Sequence, residues 1–231
     1  MEKIVIIPTY NEKENIEAII DAVISLNQQY HILIIDDGSP DGTASIVKSL
    51  FPKYPGQLFM EERKGKLGLG TAYIHGFKWA LKKGYRFIFE MDADFSHRPL
   101  DLVKILNELD SSPVVVGSRY VDGGATVNWG IGRKIISQGG SLYSRLILGY
   151  PVRDWTGGFN GWHTKVLTDI GLDQIRSNGY SFQIELKYKA QKKGYTVKEV
   201  PIVFEDRRVG QSKMSTSIVL EAFYKVWMIR E

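Results

Sequence analysis

The sequence of 231 residues contains no cysteine, only 4 histidines, and no run of apolar residues longer than four. Without cysteine, disulfide frameworks, thiol nucleophiles and zinc clusters are excluded together, and the absence agrees with a reducing cytoplasm. Any chemistry therefore falls to carboxylates, hydroxyls, lysine, arginine or histidine. A membrane-spanning helix needs roughly 18–20 consecutive apolar residues, so none is expected. Met1 to Pro8 is too short and too weakly basic for a signal peptide. The chain is thus expected neither to span a membrane nor to be secreted. His31, His75 and His163 are scattered without ligand spacing, and only His97 lies beside another candidate group. What is present is an ordinary globular composition, 43% hydrophobic and 24% charged, which excludes disorder and fibrous repeats.

The formal net charge of +4 conceals an asymmetry. Residues 1–116 carry 13 basic and 16 acidic side chains and residues 117–231 carry 17 and 10, so the halves stand at −3 and +7. Such a split points to an anionic partner for the back half: a nucleic acid, an anionic membrane surface or a phosphorylated substrate. Nucleic acid is disfavoured, because most aromatic residues fall at core-like spacing and no recognition module is visible.

Ile4-Val5-Ile6-Ile7 and Ile32-Leu33-Ile34-Ile35 are continuous apolar runs, the pattern of strands buried on both faces of a parallel sheet. Between them Asn11 and Glu14 read as a capping box, followed by Ile16, Ile19, Ile20, Val23 and Ile24 at helical spacing. The alternation continues with helices near 41–51, 70–83 and 99–109 and strands near 58–61, 86–91 and 113–117. The fold class is therefore α/β: a doubly wound, mostly parallel central sheet with helices on both faces, binding its ligand beyond the strand carboxyl ends. From Ser118 the rhythm changes. Gly123-Gly124 opens an irregular stretch, and a helix is expected near 133–148. Thr156–Phe159 reads as a turn into a short strand, a helix is expected near 182–193, a strand near 196–204, and an amphipathic helix over 217–230. With no repeat and no linker, residues 1–231 read as one domain, 1–117 forming a nucleotide-binding half and 118–231 an acceptor-binding half.

Two nucleotide motifs fail on their residues. Gly65-Lys66-Leu67-Gly68-Leu69-Gly70 lacks the Lys-Ser/Thr ending and spacing of a Walker loop, and Pro8-Thr9-Tyr10-Asn11-Glu12 stands where a dinucleotide fold needs its glycines. The sharpest feature is Asp92-Ala93-Asp94 directly after the apolar strand Phe87–Met91, which carries a single acid, Glu90. Two carboxylates at a strand end can turn toward one Mg2+ or Mn2+ bridging to a diphosphate; an isolated pair of this kind can equally be a turn or helix cap. Asp36-Asp37 ends the second strand and can accept from ribose hydroxyls or base N–H groups, with Ser39 or Asp41 capping the next helix. In the back half Arg119, Arg133, Lys134, Arg207, Arg208 and Lys213 supply cations for phosphate groups. Lys82, Lys83, Lys187, Lys189, Lys192 and Lys193 read as solvated surface.

In order along the chain, Pro8-Thr9-Tyr10-Asn11-Glu12, Asp36 to Thr43, Gly68-Leu69-Gly70, Met91 to His97, Gly117-Ser118-Arg119-Tyr120 and Gly210-Gln211-Ser212-Lys213 resemble the dolichyl-phosphate mannosyltransferase branch of family 2 glycosyltransferases. The resemblance covers nearly the whole chain. It implies a GT-A fold and an inverting transfer of a hexose, mannose from GDP-mannose, onto a polyprenyl or dolichyl monophosphate with Mg2+ or Mn2+. It assigns Pro8, Tyr10, Glu12, Ile35 and Asp37 to the nucleotide. Asp92, Ala93 and Asp94 take the metal and donor, Arg119, Arg207 and Lys213 the phosphates, and Arg119 with Arg133 the lipid phosphate. Asp94, Arg119 and Arg207 are the residues expected to carry catalysis. Ser96 stands where some relatives have glutamine, leaving a third metal ligand open, and Gln138-Gly139-Gly140-Ser141 departs from the family's acceptor region. A phosphate monoester acceptor has a second pKa near 6, so no strong base is required; Asp154 is the candidate base for a hydroxyl acceptor. A family 2 enzyme acting on a glycan hydroxyl and a non-catalytic nucleotide-sugar-binding module are the alternatives. The lipid acceptor implies a peripheral location on the cytoplasmic face of a membrane. Contact would come through residues 134–148 or 217–230 or through an anchoring partner subunit.

Overall fold

The structure, a computed structural model, describes residues 2–206 and 224–230. Strands β1 (Lys3–Thr9), β2 (His31–Asp36), β3 (Leu58–Glu62), β4 (Phe87–Glu90) and β5 (Val114–Ser118) alternate with helices α1 (Ile16–Ile24), α2 (Thr43–Leu50), α3 (Leu69–Lys82) and α4 (Asp101–Leu109). There follow β6 (Ala125–Val127), α5 (Ile131–Leu148), β7 (Asn160–His163), α6 (Thr164–Asp169), a 3-10 turn at Leu172–Gln174, α7 (Gly179–Lys192), β8 (Val197–Pro201) and β9 (Val203–Glu205). Seven strands form one sheet in the order β3-β2-β1-β4-β7-β5-β8, and β6 pairs with β9 in a small second sheet.

The apolar runs are continuous because alternate residues enter two different cores. Val5, Ile7, Ile32 and Ile34 pack with Ile16, Ile19, Ile20 and Val23 of α1, Val47 of α2 and Leu102 and Ile105 of α4. Ile4, Ile6, Leu33 and Ile35 point the other way, onto Ala72, Tyr73 and Phe77 of α3 and Phe182 and Leu186 of α7. Helices therefore cover both faces, as the sequence predicts.

Two expectations are corrected, and two others are located by the structure. The capping box of Asn11 and Glu14 does not form: Asn11 takes a left-handed φ of 61° and its N–H donates to Ser39 Oγ at 3.0 Å. α1 starts only at Ile16, whose N–H donates to the Glu12 carbonyl. The short strand expected after the Thr156–Phe159 turn is β7, Asn160–His163, and it runs antiparallel between β4 and β5. Its Gly161 lets α4 close on the sheet, since a Cβ there would lie 2.5 Å from Ile105 Cγ2. The strand expected at 196–204 divides at Ile202. β8 pairs with β5, the Ile202 N–H donates to the Ser118 carbonyl, and β9 leaves to pair with β6. Of the helix expected at 217–230, residues 224–230 are described and helical; Val226 packs with Trp155 and Ile184 in a third cluster.

Candidate active site

The carboxyl ends of β1, β2, β4 and β5 open onto one cavity of about 390 Å³. Pro8, Tyr10, Glu12, Asp37, Asp92, Ala93, Asp94, Arg119 and Arg133 all line it. Ile35 does not. Its side chain is fully buried against the α3 side of the sheet, so the nucleotide contact implied for it cannot be made by that side chain. Arg207 and Lys213 lie outside the described residues.

The first acid pair is tied into the protein. Asp36 accepts from Thr9 Oγ1 at 2.9 Å, from the Ser39 N–H at 2.9 Å and from Ser39 Oγ at 2.6 Å. Asp37 accepts from Arg63 Nε at 2.6 Å and from the Leu67 N–H at 3.1 Å. Arg63 also donates to Thr71 Oγ1 and the Gly68 carbonyl. The glycine-rich segment that failed as a phosphate loop is thus the wall beside Asp37, with Lys66 lying 4.7 Å over the Tyr10 ring. Asp41 accepts from the Thr43 N–H at the start of α2 and from the Lys13 N–H, binding the first two βα turns together.

The second pair is presented to the cavity. Phe95 adopts a left-handed φ of 61°, turning the chain sharply after Asp94. Asp94 Oδ1 accepts from the Ser96 N–H at 3.0 Å and Ser96 Oγ at 2.6 Å, so Ser96 orients this carboxylate. The Asp92 side chain is 37% exposed, and its N–H donates to His97 Nδ1 at 3.0 Å. That bond places the imidazole proton on Nε2. Burial pulls the His97 pKa down to about 4, so the ring is neutral. Among the described residues no cluster of three His, Asp or Glu side chains could hold a metal ion alone. A cation here would complete its shell with substrate oxygens and water, the usual habit of Mg2+, and the pair Asp92 and Asp94 at a cavity wall fits that role.

Arg119 and Arg133 line the same cavity. Arg119 donates through Nε and Nη2 to the two oxygens of Asp154, at 2.7 and 2.6 Å, and through Nη2 to Thr156 Oγ1 at 2.9 Å. Asp154 is fully buried and also accepts from the Arg119 and Gly157 N–H groups. Burial alone would raise its pKa, but the Arg119 guanidinium and these bonds outweigh it and hold the carboxyl below its ordinary value. Asp154 is therefore an anchor for Arg119 rather than a general base. Arg133 reaches Asp206 at 2.7 Å.

Beneath the cavity lies a buried charge array that sequence reasoning missed. Lys187 is fully buried, and Nζ donates to the carbonyls of Asp154, Trp155 and Gly157 at 3.1, 3.1 and 2.6 Å. This corrects its expected place on the surface: α7 is wedged between two cores, burying Phe182 and Leu186 on one side and Ile184 and Tyr188 on the other. Burial lowers the Lys187 pKa to about 8. Glu90 accepts from Asn160, Trp162 and Gln183, and burial raises its pKa to about 7 despite those donors. Polar and apolar residues are spread all round α7, so no apolar stripe in the sequence marks Lys187 as buried.

Residues 4–171 match glycosyl transferase family 2. The chain belongs to that family. This glycosyltransferase is 44% identical over 230 residues to a polyprenol monophosphomannose synthase of Mycolicibacterium smegmatis, covering 98% of this chain and 87% of that one. It is 41% identical over 226 residues to an undecaprenyl-phosphate mannosyltransferase of Micrococcus luteus, covering 98% and 93%. In fold it is similar to a glucosyl-3-phosphoglycerate synthase of Mycobacterium tuberculosis solved with Mn2+ and UDP, with a TM-score of 0.69, 17% identity, and coverage of 99% and 78%. A mannosyltransferase of Pyrobaculum calidifontis, solved with GDP-Man and Mn2+, superposes with a TM-score of 0.61 at 18% identity, covering 91% and 58%. The expected GT-A-type fold is borne out.

Proposed function

We propose that this glycosyltransferase moves mannose from GDP-mannose onto the phosphate of a polyprenyl monophosphate, with inversion at the anomeric carbon. The observation that carries the reading is near-full-length identity of 44% and 41% to two enzymes whose names state that kind of transfer. The cavity supports it by gathering carboxylates and guanidiniums around one space. Pro8, Tyr10, Glu12 and Asp37 form the wall assigned to the nucleotide, with residues 1–117 as the donor half.

Asp92 and Asp94 would hold the Mg2+ or Mn2+, which neutralises the diphosphate leaving group when bound. Arg119 and Arg133 orient the acceptor phosphate, and Arg207 and Lys213 are assigned further phosphate contacts by the family resemblance. A phosphate oxygen attacks the anomeric carbon from the face opposite the diphosphate, and the bond to the β-phosphate oxygen breaks as GDP leaves with the electron pair. The acceptor is already anionic at neutral pH, so no base is needed. The locking of Asp154 to Arg119 fits that requirement and speaks against a hydroxyl acceptor.

We read the enzyme as peripheral on the cytoplasmic face of a membrane. Among the described residues no helix is long and apolar enough to cross one. α5 presents Ile131, Ile135, Leu142 and Leu146 to solvent, each between 56% and 78% exposed. At 3.6 residues per turn the four fall within roughly 60° of arc, with Lys134 and Arg145 alongside, as an interfacial helix requires.

The test is incubation of the protein, Mn2+ and labelled GDP-mannose with undecaprenyl phosphate, then organic extraction. Label in the organic phase is the expected result. Label transferred only to a glycan hydroxyl, or no transfer with intact donor binding, would overturn the reading. A parallel run with UDP-glucose checks the choice of donor.

A further inference from the structure

Two buried nitrogen donors at the acceptor end of the cavity have no hydrogen-bond partner: Trp129 Nε1 and Arg133 Nε. Both residues line the cavity. Trp129 is only 8% exposed. A buried N–H left without an acceptor costs about 1–3 kcal/mol, so a pair of them side by side at a cavity wall marks where acceptor oxygens arrive. The indole also lies against both arginines. The guanidinium carbon of Arg133 is 4.0 Å from the Trp129 ring centroid and that of Arg119 is 5.4 Å away. Cation–π attraction within about 6 Å offsets the repulsion between two like charges. Phe204 meets the indole edge-on at 5.3 Å and fixes its tilt.

We propose that Trp129 is a direct contact of the acceptor phosphate: its Nε1–H donates to a phosphate oxygen beside Arg133 Nε–H, and its ring packs against both guanidiniums. The proposal rests on the acceptor being a phosphate monoester. Trp129→Phe separates the two parts, since it keeps a π face and removes the N–H.

The enzyme assay and a binding measurement test it together. Trp129→Phe is expected to raise the acceptor KM by about 10-fold to 100-fold, the worth of one hydrogen bond to a charged group, with the KM for GDP-mannose unchanged. Trp129→Ala raises the acceptor KM further. In the wild-type protein, titration with water-soluble geranyl phosphate moves one indole N–H proton resonance downfield, the one that Trp129→Phe deletes. An active Trp129→Phe enzyme with an unaltered acceptor KM, or a Trp129 indole resonance that stays in place at saturating geranyl phosphate, overturns the proposal. The resonance reads the contact whether or not mannose is transferred. Failure of transfer in the wild-type enzyme therefore counts against the function, and a motionless indole counts against Trp129.

Discussion

The two walls of the cavity are assembled differently. On the donor wall, carboxylates are set by partners close in sequence or in the adjoining strand turn: Ser39 on Asp36, Ser96 on Asp94 and Thr43 on Asp41. On the acceptor wall, Arg119 depends on Asp154, 35 positions away, and the loop bearing Asp154 depends on Lys187, 33 positions further. The donor wall is thus a set of short turns at adjoining strand ends, cross-tied by Asp37 to Arg63 and by Asp41 to Lys13 but, among the described residues, with no buried lysine or carboxylate relay behind them. The acceptor wall is a chain of buried charges in which every member needs the next, so a single substitution there should cost stability as well as activity.

The largest expected effect separates these cases. Asp94→Asn keeps the size and the Ser96 hydrogen bonds but halves the charge available to a cation, so transfer should fall by on the order of 10²–10³-fold, with the thermal midpoint little changed. An Asp94→Asn enzyme that retains full metal-dependent transfer would break the assignment of the donor wall. Asp154→Ala should do the opposite in kind. Removing one partner of a buried ion pair costs about 3–5 kcal/mol, so urea unfolding should shift strongly. Any folded enzyme left should lose affinity for the acceptor while still binding the donor. A normal unfolding midpoint for Asp154→Ala would show that the acceptor wall is not interdependent.

Lys187 gives a pH test of the same array. Burial lowers its pKa from 10.5 to about 8 in the folded protein. Between those values the unfolded chain binds more protons than the folded one, so stability rises with pH across that window and the gain is absent below about pH 8. The slope from this group is at most about 1.4 kcal/mol per pH unit. Unfolding free energies of the wild type and Lys187→Met at pH 8 and pH 10 should therefore diverge, with the wild type gaining more. Equal gains would mean that burial does not lower the Lys187 pKa.

The same contrast explains what could be read from the chain before its structure. The two apolar runs, the stripe Ile16-Ile19-Ile20-Val23 and the acids at strand ends are local patterns, and the fold class follows from their period. The antiparallel β7 was not legible as such: a four-residue strand inserted between β4 and β5 is specified by what flanks it, including Gly161 beneath Ile105. Lys187 looked like any helix-surface lysine because its partners are backbone carbonyls, which no side-chain pattern reveals. Asn11 and Glu14 matched a capping pattern, yet the Ser39 and Asp41 side chains of the next βα turn claimed the N–H groups of Asn11 and Lys13. Trp129 belonged to no motif at all.

The smallest expected effect concerns the outer face of the acceptor wall. The four exposed side chains of α5 touch neither the cavity nor the buried array, so Leu142→Glu and Leu146→Glu should leave folding and transfer to a short, water-soluble prenyl phosphate within about 0.5 kcal/mol of wild type. On vesicles containing anionic lipid the outcome should differ. Burying a leucine side chain in an interface is worth about 1.5–3 kcal/mol, and an added carboxylate faces a negative surface, so each variant should partition at least tenfold more weakly. Activity on undecaprenyl phosphate in those vesicles should fall in step. If the wild-type protein does not sediment with such vesicles at low salt, the apolar stripe is instead the seat of an anchoring subunit. In that case the same two variants should lose binding to that subunit while retaining full activity on the soluble acceptor.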